Sequence, residues 1–311
     1  MGGDYGGGQT INTVNTTFED YEAWVDPANN MRLEAQRKKF ADVFEPLRKV
    51  GLVQSYLNDE RQSPPPPEPR ALYVISAETT QLAIAMYQSL SMGVVFPAAG
   101  NFRTLFELLL SVKLMLHGDT KGRSDLFMEF SNVLLWHHLQ MIKKVKLPVD
   151  PALNTKQIQA DYEAVYARYG SNPTYWWSSI MWSSDKDARE RKPFGPSGVC
   201  AFLDTAGVPT GFSNASSFAE LNVRWHGTFS ALTHATVLGS NAMLANGGRS
   251  MGWQVDANVT RLAVLALAAC AEIIPACENG LDHPKAGWAR MYLGDLRDKA
   301  VLAQAALEEA S

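Results

Sequence analysis

The feature that most constrains the fold is a succession of long segments with helical periodicity and almost no strand-like alternation between them. Apolar residues recur at the spacing of one helix face over three or more turns in each segment. The segments are 31–57, 72–92, 102–116, 126–145, 154–169, 218–244 and 259–274. The sequence therefore predicts an all-α fold, a multi-helix bundle with an N-terminal helical appendage.

A run of prolines suggests how the chain is divided. Four consecutive prolines, Pro64 to Pro67, force an extended backbone that no helix can continue through. The residues before them are helical in pattern, and the first residues are rich in glycine, asparagine and threonine. We therefore expect a flexible tail at 1–25, a helical appendage at 26–62, a Pro-rich linker at 63–70 and a main helical domain at 71–311.

Composition limits the cellular compartments and the classes of binding partner that fit this chain. The formal net charge of -4 argues against a general electrostatic grip on nucleic acid. The chain has three cysteines without CxxC spacing, which favours a reducing compartment. The N-terminal residues also lack the basic and apolar regions of a signal peptide, so we expect a cytoplasmic protein.

Two charge-poor segments, 79–101 and 225–248, are long enough to cross a bilayer. Both contain amides and hydroxyl groups, and the second also contains two histidines. Such residues suit the central helices of a bundle better than a lipid-facing surface. We expect no membrane partner.

A first candidate site lies on the leucine-rich segment 102–116. Arg103 and Glu107 are four residues apart, so they are neighbours on one helix face, and Ser111 extends that face by another turn. The rest of the helix is apolar, so the pair should be partly desolvated. One interpretation is an ordinary ion pair within the helix. The other is a pocket wall in which Arg103 binds an anion or orients Glu107.

A second candidate site lies in the charge-free stretch from Trp225 to Gly248. A helical wheel gathers His226 and Ser230 in one neutral polar sector, with His234 at its edge. Such a face either lines a wet cavity or permits close helix packing. The two histidines are eight residues apart, about 12 Å along a helix, so they cannot share an ion without other ligands. We expect neither a metal nor a cofactor. No GxSxG motif supports Ser230 as a nucleophile.

Four short motifs follow one another along the chain: Arg103-x-x-x-Glu107, Asp125-Leu-Phe-Met-Glu-Phe130, Trp182 and Phe229-Ser-Ala-Leu-Thr-His234. Their order resembles that in a bacterial all-helical family recorded only as a domain of unknown function. The resemblance covers about residues 72–245. It implies an all-α fold in which Arg103, Glu107 and His234 face a common interior.

A more distant resemblance is to the helical HEPN ribonucleases of toxin–antitoxin and phage-defence systems. Those enzymes place an arginine and a histidine a few residues apart. Here Arg224 precedes His226 by two residues and His234 by ten, which departs from that spacing.

Three functions remain open at this point. The first is a helical binding or regulatory protein whose interior pocket, formed by Arg103, Glu107 and His234, holds a small polar or anionic ligand. Ser230 is a further candidate ligand contact. The second is a metal-independent, HEPN-like ribonuclease in which Arg224 stabilises the phosphate and His226 or His234 acts as general acid or base. The third is a structural assembly subunit, and a homo-oligomer fits any of the three.

Overall fold

The computed structural model describes residues 30–60, 69–92, 94–169, 195–227 and 256–309, apart from residues 32, 33 and 36. This part of the chain is 83% helical and contains no strand. The all-α fold is therefore confirmed, with helices packed against one another around a shared apolar core.

The described helices follow the chain in a simple order, with one π-helical turn directly after α7. They are α1 Ala41–Asp59, α2 Arg70–Ser91, α3 Val95–Leu116, α4 Thr120–Lys144, α5 Thr155–Tyr169, α6 Pro196–Thr205, α7 Phe218–Leu221, the π-helix Asn222–Gly227, α8 Asp256–Gly280 and α9 Ala286–Glu309.

Helix α8 lies at the centre of the bundle, in contact with α1, α2, α3 and α9. Within the described ranges, its segment Thr260–Gly280 is the one helix long and apolar enough to cross a membrane. Of its most apolar window, 72% is buried inside the protein. The core helix of a bundle meets the same criteria of length and hydropathy, and the contacts of α8 with four other helices fit such a position.

Helix α1 belongs to the same core as the helices that follow it. Val43, Leu47 and Val50 are fully buried, and α1 packs against α2, α8 and α9. The domain boundaries drawn from the sequence stay a prediction, since the predicted tail lies outside the described residues, as does most of the predicted linker. What the structure adds is that α1 shares its core with the predicted main domain.

Several helix boundaries differ from those expected. Helix α8 continues through Pro275 to Gly280, and α6 and α9 were not predicted. The buried face of α9 includes Ala286, Ala289 and Ala300, whose small side chains give little contrast with the polar face. Of the predicted helix 218–244, only the residues to Gly227 are described, and they form α7 and the π-helix.

Candidate functional site

Helix α3 presents Arg103 and Glu107 from a scaffold that is otherwise buried. Phe102, Leu105 and Phe106 are fully buried around them and fix the rotation of the helix. Arg103 Nε donates to Glu107 Oε1 at 3.2 Å, and the two side chains are 31% and 28% exposed. The pair is therefore formed and partly desolvated, as the sequence predicted.

The π-helix carries the second part of the site. Trp225 is 4% exposed, and its ring packs edge-on against the rings of Phe102, Phe106 and Phe212, at centroid distances of 5.3, 5.9 and 4.9 Å. This aromatic packing fixes the π-helix against α3. It also sets the position of the next residue, His226, whose ring lies 6.2 Å from that of Phe106.

His226 reaches the same carboxylate oxygen as Arg103. Its Nε2 lies 3.2 Å from Glu107 Oε1, across 119 positions of sequence. Burial alone would raise the pKa of Glu107, but the hydrogen bond from His226 and the charge of Arg103 outweigh it, so the pKa lies below its usual value. Glu107 is thus ionised at neutral pH.

An ionised carboxylate only accepts hydrogen bonds, so its contact determines which nitrogen of His226 carries a proton. Nε2 donates to Glu107, and in the neutral imidazole Nδ1 is then an acceptor. The arrangement leaves an oriented base at Nδ1. Among the described residues, Glu107 Oε2 has no partner and is a second acceptor.

The other predicted site residues are placed differently. Arg224 is 54% exposed at its side chain, and its Nη2 pairs with Glu220 Oε1 at 2.5 Å, one helical turn back along the chain. Ser230 and His234 lie outside the described residues, so the predicted meeting of His234 with Arg103 and Glu107 stays a prediction. The histidine that the described structure brings to Glu107 is His226.

No family model, curated protein or solved structure matches the chain. The resemblances to a bacterial family of unknown function and to HEPN ribonucleases therefore remain predictions. Evidence about this site comes from its own geometry. Across the described ranges, no group of three or more histidine, cysteine, aspartate or glutamate residues is arranged to hold a metal ion.

A cavity of about 440 Å³ lies beside Trp225, between the loop that carries Phe212 and helices α8 and α9. The loop is held close to α8 at Gly211, where φ is +87° and a Cβ atom would lie 2.1 Å from the Glu272 carboxylate. That carboxylate pairs with Lys113 of α3 at 3.0 Å. Sequence reasoning missed this arrangement because its parts lie far apart in the chain.

Sequence reasoning also missed a fully buried carboxylate, Glu278 of α8. Its side chain is inaccessible to solvent, and Ser76 Oγ lies 2.9 Å from Oε1. The same hydroxyl lies 3.0 Å from Gln54 Oε1, and Thr80 also contacts Gln54. We call these four residues the Glu278 network. The sequence did contain a signal for it, an acidic residue close to a strongly apolar helix. Because the predicted helix ended at residue 274, Glu278 was placed outside it.

Proposed function

We propose that the protein is a helical binding protein in which Arg103, Glu107 and His226 recognise a small polar ligand. The observation that carries the proposal is the contact of Arg103 and His226 with one oxygen of an ionised, partly exposed carboxylate. A purely structural ion pair within α3 needs no third group from a distant segment of the chain.

The geometry indicates what such a ligand offers. Glu107 Oε2 accepts hydrogen bonds, and so does Nδ1 of His226 in the neutral imidazole, so the ligand supplies a hydroxyl or amino donor. Arg103 balances the charge of Glu107, and the planar fork of N–H donors on its guanidinium suits a ligand that also carries an anionic group. Hydroxy acids, amino acids and small phosphate esters have both features. Ser230 stays a predicted contact, and neither a cytoplasmic location nor self-association is needed for the proposal.

Thermal unfolding in the presence of four defined probes tests the proposal: serine, glycerate, phosphoethanolamine and inorganic phosphate. We expect at least one of them to raise the Tm of the wild type, because a ligand that binds only the folded state stabilises it. We expect Glu107→Gln and His226→Phe to lose that increase.

The matched control is Arg48→Met, which breaks the exposed ion pair with Glu45 on α1. It should keep the full ligand-induced increase in Tm. Failure of all four probes, or an equal increase in the site variants and the control, contradicts the proposal.

The contact between His226 and Glu107 also favours a second candidate, a metal-independent ribonuclease. A carboxylate that orients an imidazole is one way to prepare a general base, here for the 2′-hydroxyl of RNA. The role predicted for Arg224 has less support, since its guanidinium pairs with Glu220 on an exposed face.

Cleavage of a single-stranded RNA in the presence of a chelator tests this second candidate. Wild type should cleave, whereas His226→Ala and His234→Ala should each lose most of the activity. No cleavage by the wild type, or equal rates in all three proteins, rejects it. Neither the thermal-unfolding assay nor the RNA-cleavage assay tests the third predicted function, that of a structural assembly subunit.

A further inference from the structure

Helices α4 and α5 form a hairpin that extends from the bundle. Partway along the hairpin the two helices are joined by a thin seam, in which Trp136 stacks on Tyr162 at 5.3 Å and Leu139 is 2% exposed. Beyond this seam the hairpin has no interior, because none of the residues 140–164 is buried. We call residues 141–153, where the chain turns between the two helices, the hairpin tip.

The hairpin tip is unusually apolar for such an exposed place. Met141, Val145 and Leu147 are 58%, 57% and 59% exposed, and Leu153 is 39% exposed. Scattered exposed apolar residues are normal, but a cluster at the end of a projecting element indicates a contact surface.

The hairpin tip is also basic. It contains three lysines, Lys143, Lys144 and Lys146, and one acidic residue, Asp150, a net charge of +2 in a chain of net charge -4. No carboxylate within the described ranges forms an ion pair with these lysines. Lys143 lies over the ring of Trp136, 5.8 Å from its centroid. The positive charge therefore remains available to an anionic surface.

The kind of cation distinguishes between two classes of partner. Protein interfaces are enriched in arginine and depleted in lysine. The hairpin tip has three lysines and no arginine. Lysines beside exposed aliphatic side chains are typical of segments that lie at the surface of anionic membranes, where the apolar groups enter the headgroup region.

We propose that the hairpin tip docks on an anionic lipid surface, with Met141, Val145 and Leu147 inserted and the three lysines paired with lipid headgroups. The proposal is independent of the ligand site on α3. It departs from our expectation of no membrane partner, which rested on segments long enough to cross a bilayer. A helical hairpin that touches the surface by its end was outside that reasoning.

Co-sedimentation of the full chain with lipid vesicles tests the proposal. We expect binding to phosphatidylcholine vesicles that contain phosphatidylglycerol, weaker binding as salt is raised, and little binding to phosphatidylcholine alone. Replacing the three lysines by glutamine should lower the partition coefficient by roughly fivefold for each lysine removed. A triple variant with Met141→Ser, Val145→Ser and Leu147→Ser should also lose binding.

Matched controls come from the exposed surface elsewhere. Met291 and Leu302 of α9 are 63% and 71% exposed, so Met291→Ser with Leu302→Ser makes a comparable apolar change away from the hairpin tip. Replacing the exposed residues Lys38, Arg290 and Lys299 by glutamine removes the same charge. Both controls should bind vesicles as the wild type does, and circular dichroism checks that every variant is folded.

Three results would overturn the proposal. The first is no binding of the wild type to either kind of vesicle. The second is an equal loss of binding in the tip variants and their controls. The third is self-association in analytical ultracentrifugation that the serine variant abolishes, without vesicle binding, because the occupant of the surface is then a second copy of the chain.

Discussion

Two carboxylates, Glu107 on α3 and Glu278 on α8, show how differently one bundle uses the same functional group. Glu107 is 28% exposed, and Arg103 and His226 both contact one of its oxygens. Glu278 is fully buried, and the hydroxyl of Ser76 lies 2.9 Å from its Oε1. The first carboxylate is open to solvent. The second is enclosed between helices.

The difference separates a site that can exchange partners from one that fixes structure. A ligand can approach Glu107 without unfolding the chain. Reaching Glu278 would require separation of α2 from α8. Buried polar groups that are fully enclosed contribute mainly to the specificity and stability of packing, because each loses hydrogen bonds if its partner is removed. We therefore expect changes at Glu278 to affect stability and changes at Glu107 to affect binding.

The largest effect is expected for Glu278→Ala. The substitution leaves a cavity among α1, α2 and α8 and removes a hydrogen-bond partner from Ser76, at a cost of about 3 kcal/mol in the free energy of unfolding. Urea denaturation followed by circular dichroism measures it. Glu278→Gln, which keeps the size and an acceptor, should cost clearly less.

Urea denaturation of Glu107→Ala tests the comparison between the two carboxylates. We expect a smaller loss there, since the side chain is partly exposed and water can replace its contacts. If Glu278→Ala is neutral or stabilising, the network does not hold the core together, and the assignment of a structural role to Glu278 is wrong.

Much of this fold could be predicted because helical periodicity is a local property. The stripes of α3 illustrate it: Leu105 and Leu109 on one face, and Phe102 and Phe106 on the other, are all buried as their spacing indicated. The Arg103–Glu107 contact is equally local, since residues four apart on a helix are always neighbours.

The contacts that the sequence could not reveal are those between distant segments. His226 meets Glu107 only because a π-helical turn and the packing of Trp225 bring its ring to α3. The turn changes the angular spacing of residues, so a wheel drawn for an α-helix does not give the direction of His226. Ser76 and Glu278 are 202 positions apart and meet through the packing of α2 on α8.

A smaller effect, with a distinct pH dependence, is expected for Glu107→Gln. The folded-state pKa of Glu107 is lowered, so its ionised form stabilises the protein above the pKa of the unfolded chain, and that contribution is lost as pH falls through the folded-state pKa. The variant should thus cost about 1 kcal/mol at neutral pH and progressively less below about pH 4. Urea unfolding at a series of pH values measures the difference.

Glu78 of α2 is a control of opposite sign. Burial raises the pKa of its carboxyl group, so ionisation at neutral pH opposes folding. Glu78→Gln should stabilise the protein at neutral pH, and the gain should disappear in acid. The same trend for both variants would show that their pH dependence reports the net charge of the protein and not the surroundings of each group.

The smallest effect is expected at Arg224, and it separates two influences on a helical ion pair. Glu220 precedes Arg224, which is the more favourable order at this spacing, whereas Arg103 precedes Glu107. Exposure favours the Arg103–Glu107 pair instead, because the Arg103 side chain is 31% exposed and that of Arg224 is 54% exposed. Solvent screens exposed pairs strongly, so we expect burial to have more influence than residue order on the stability of the two pairs.

Arg224→Gln should leave the free energy of unfolding unchanged within experimental error, whereas Arg103→Gln should lower it measurably. Equal losses would mean that order along the helix matters as much as burial, and that the contact of Arg103 with Glu107 is an ordinary surface pair.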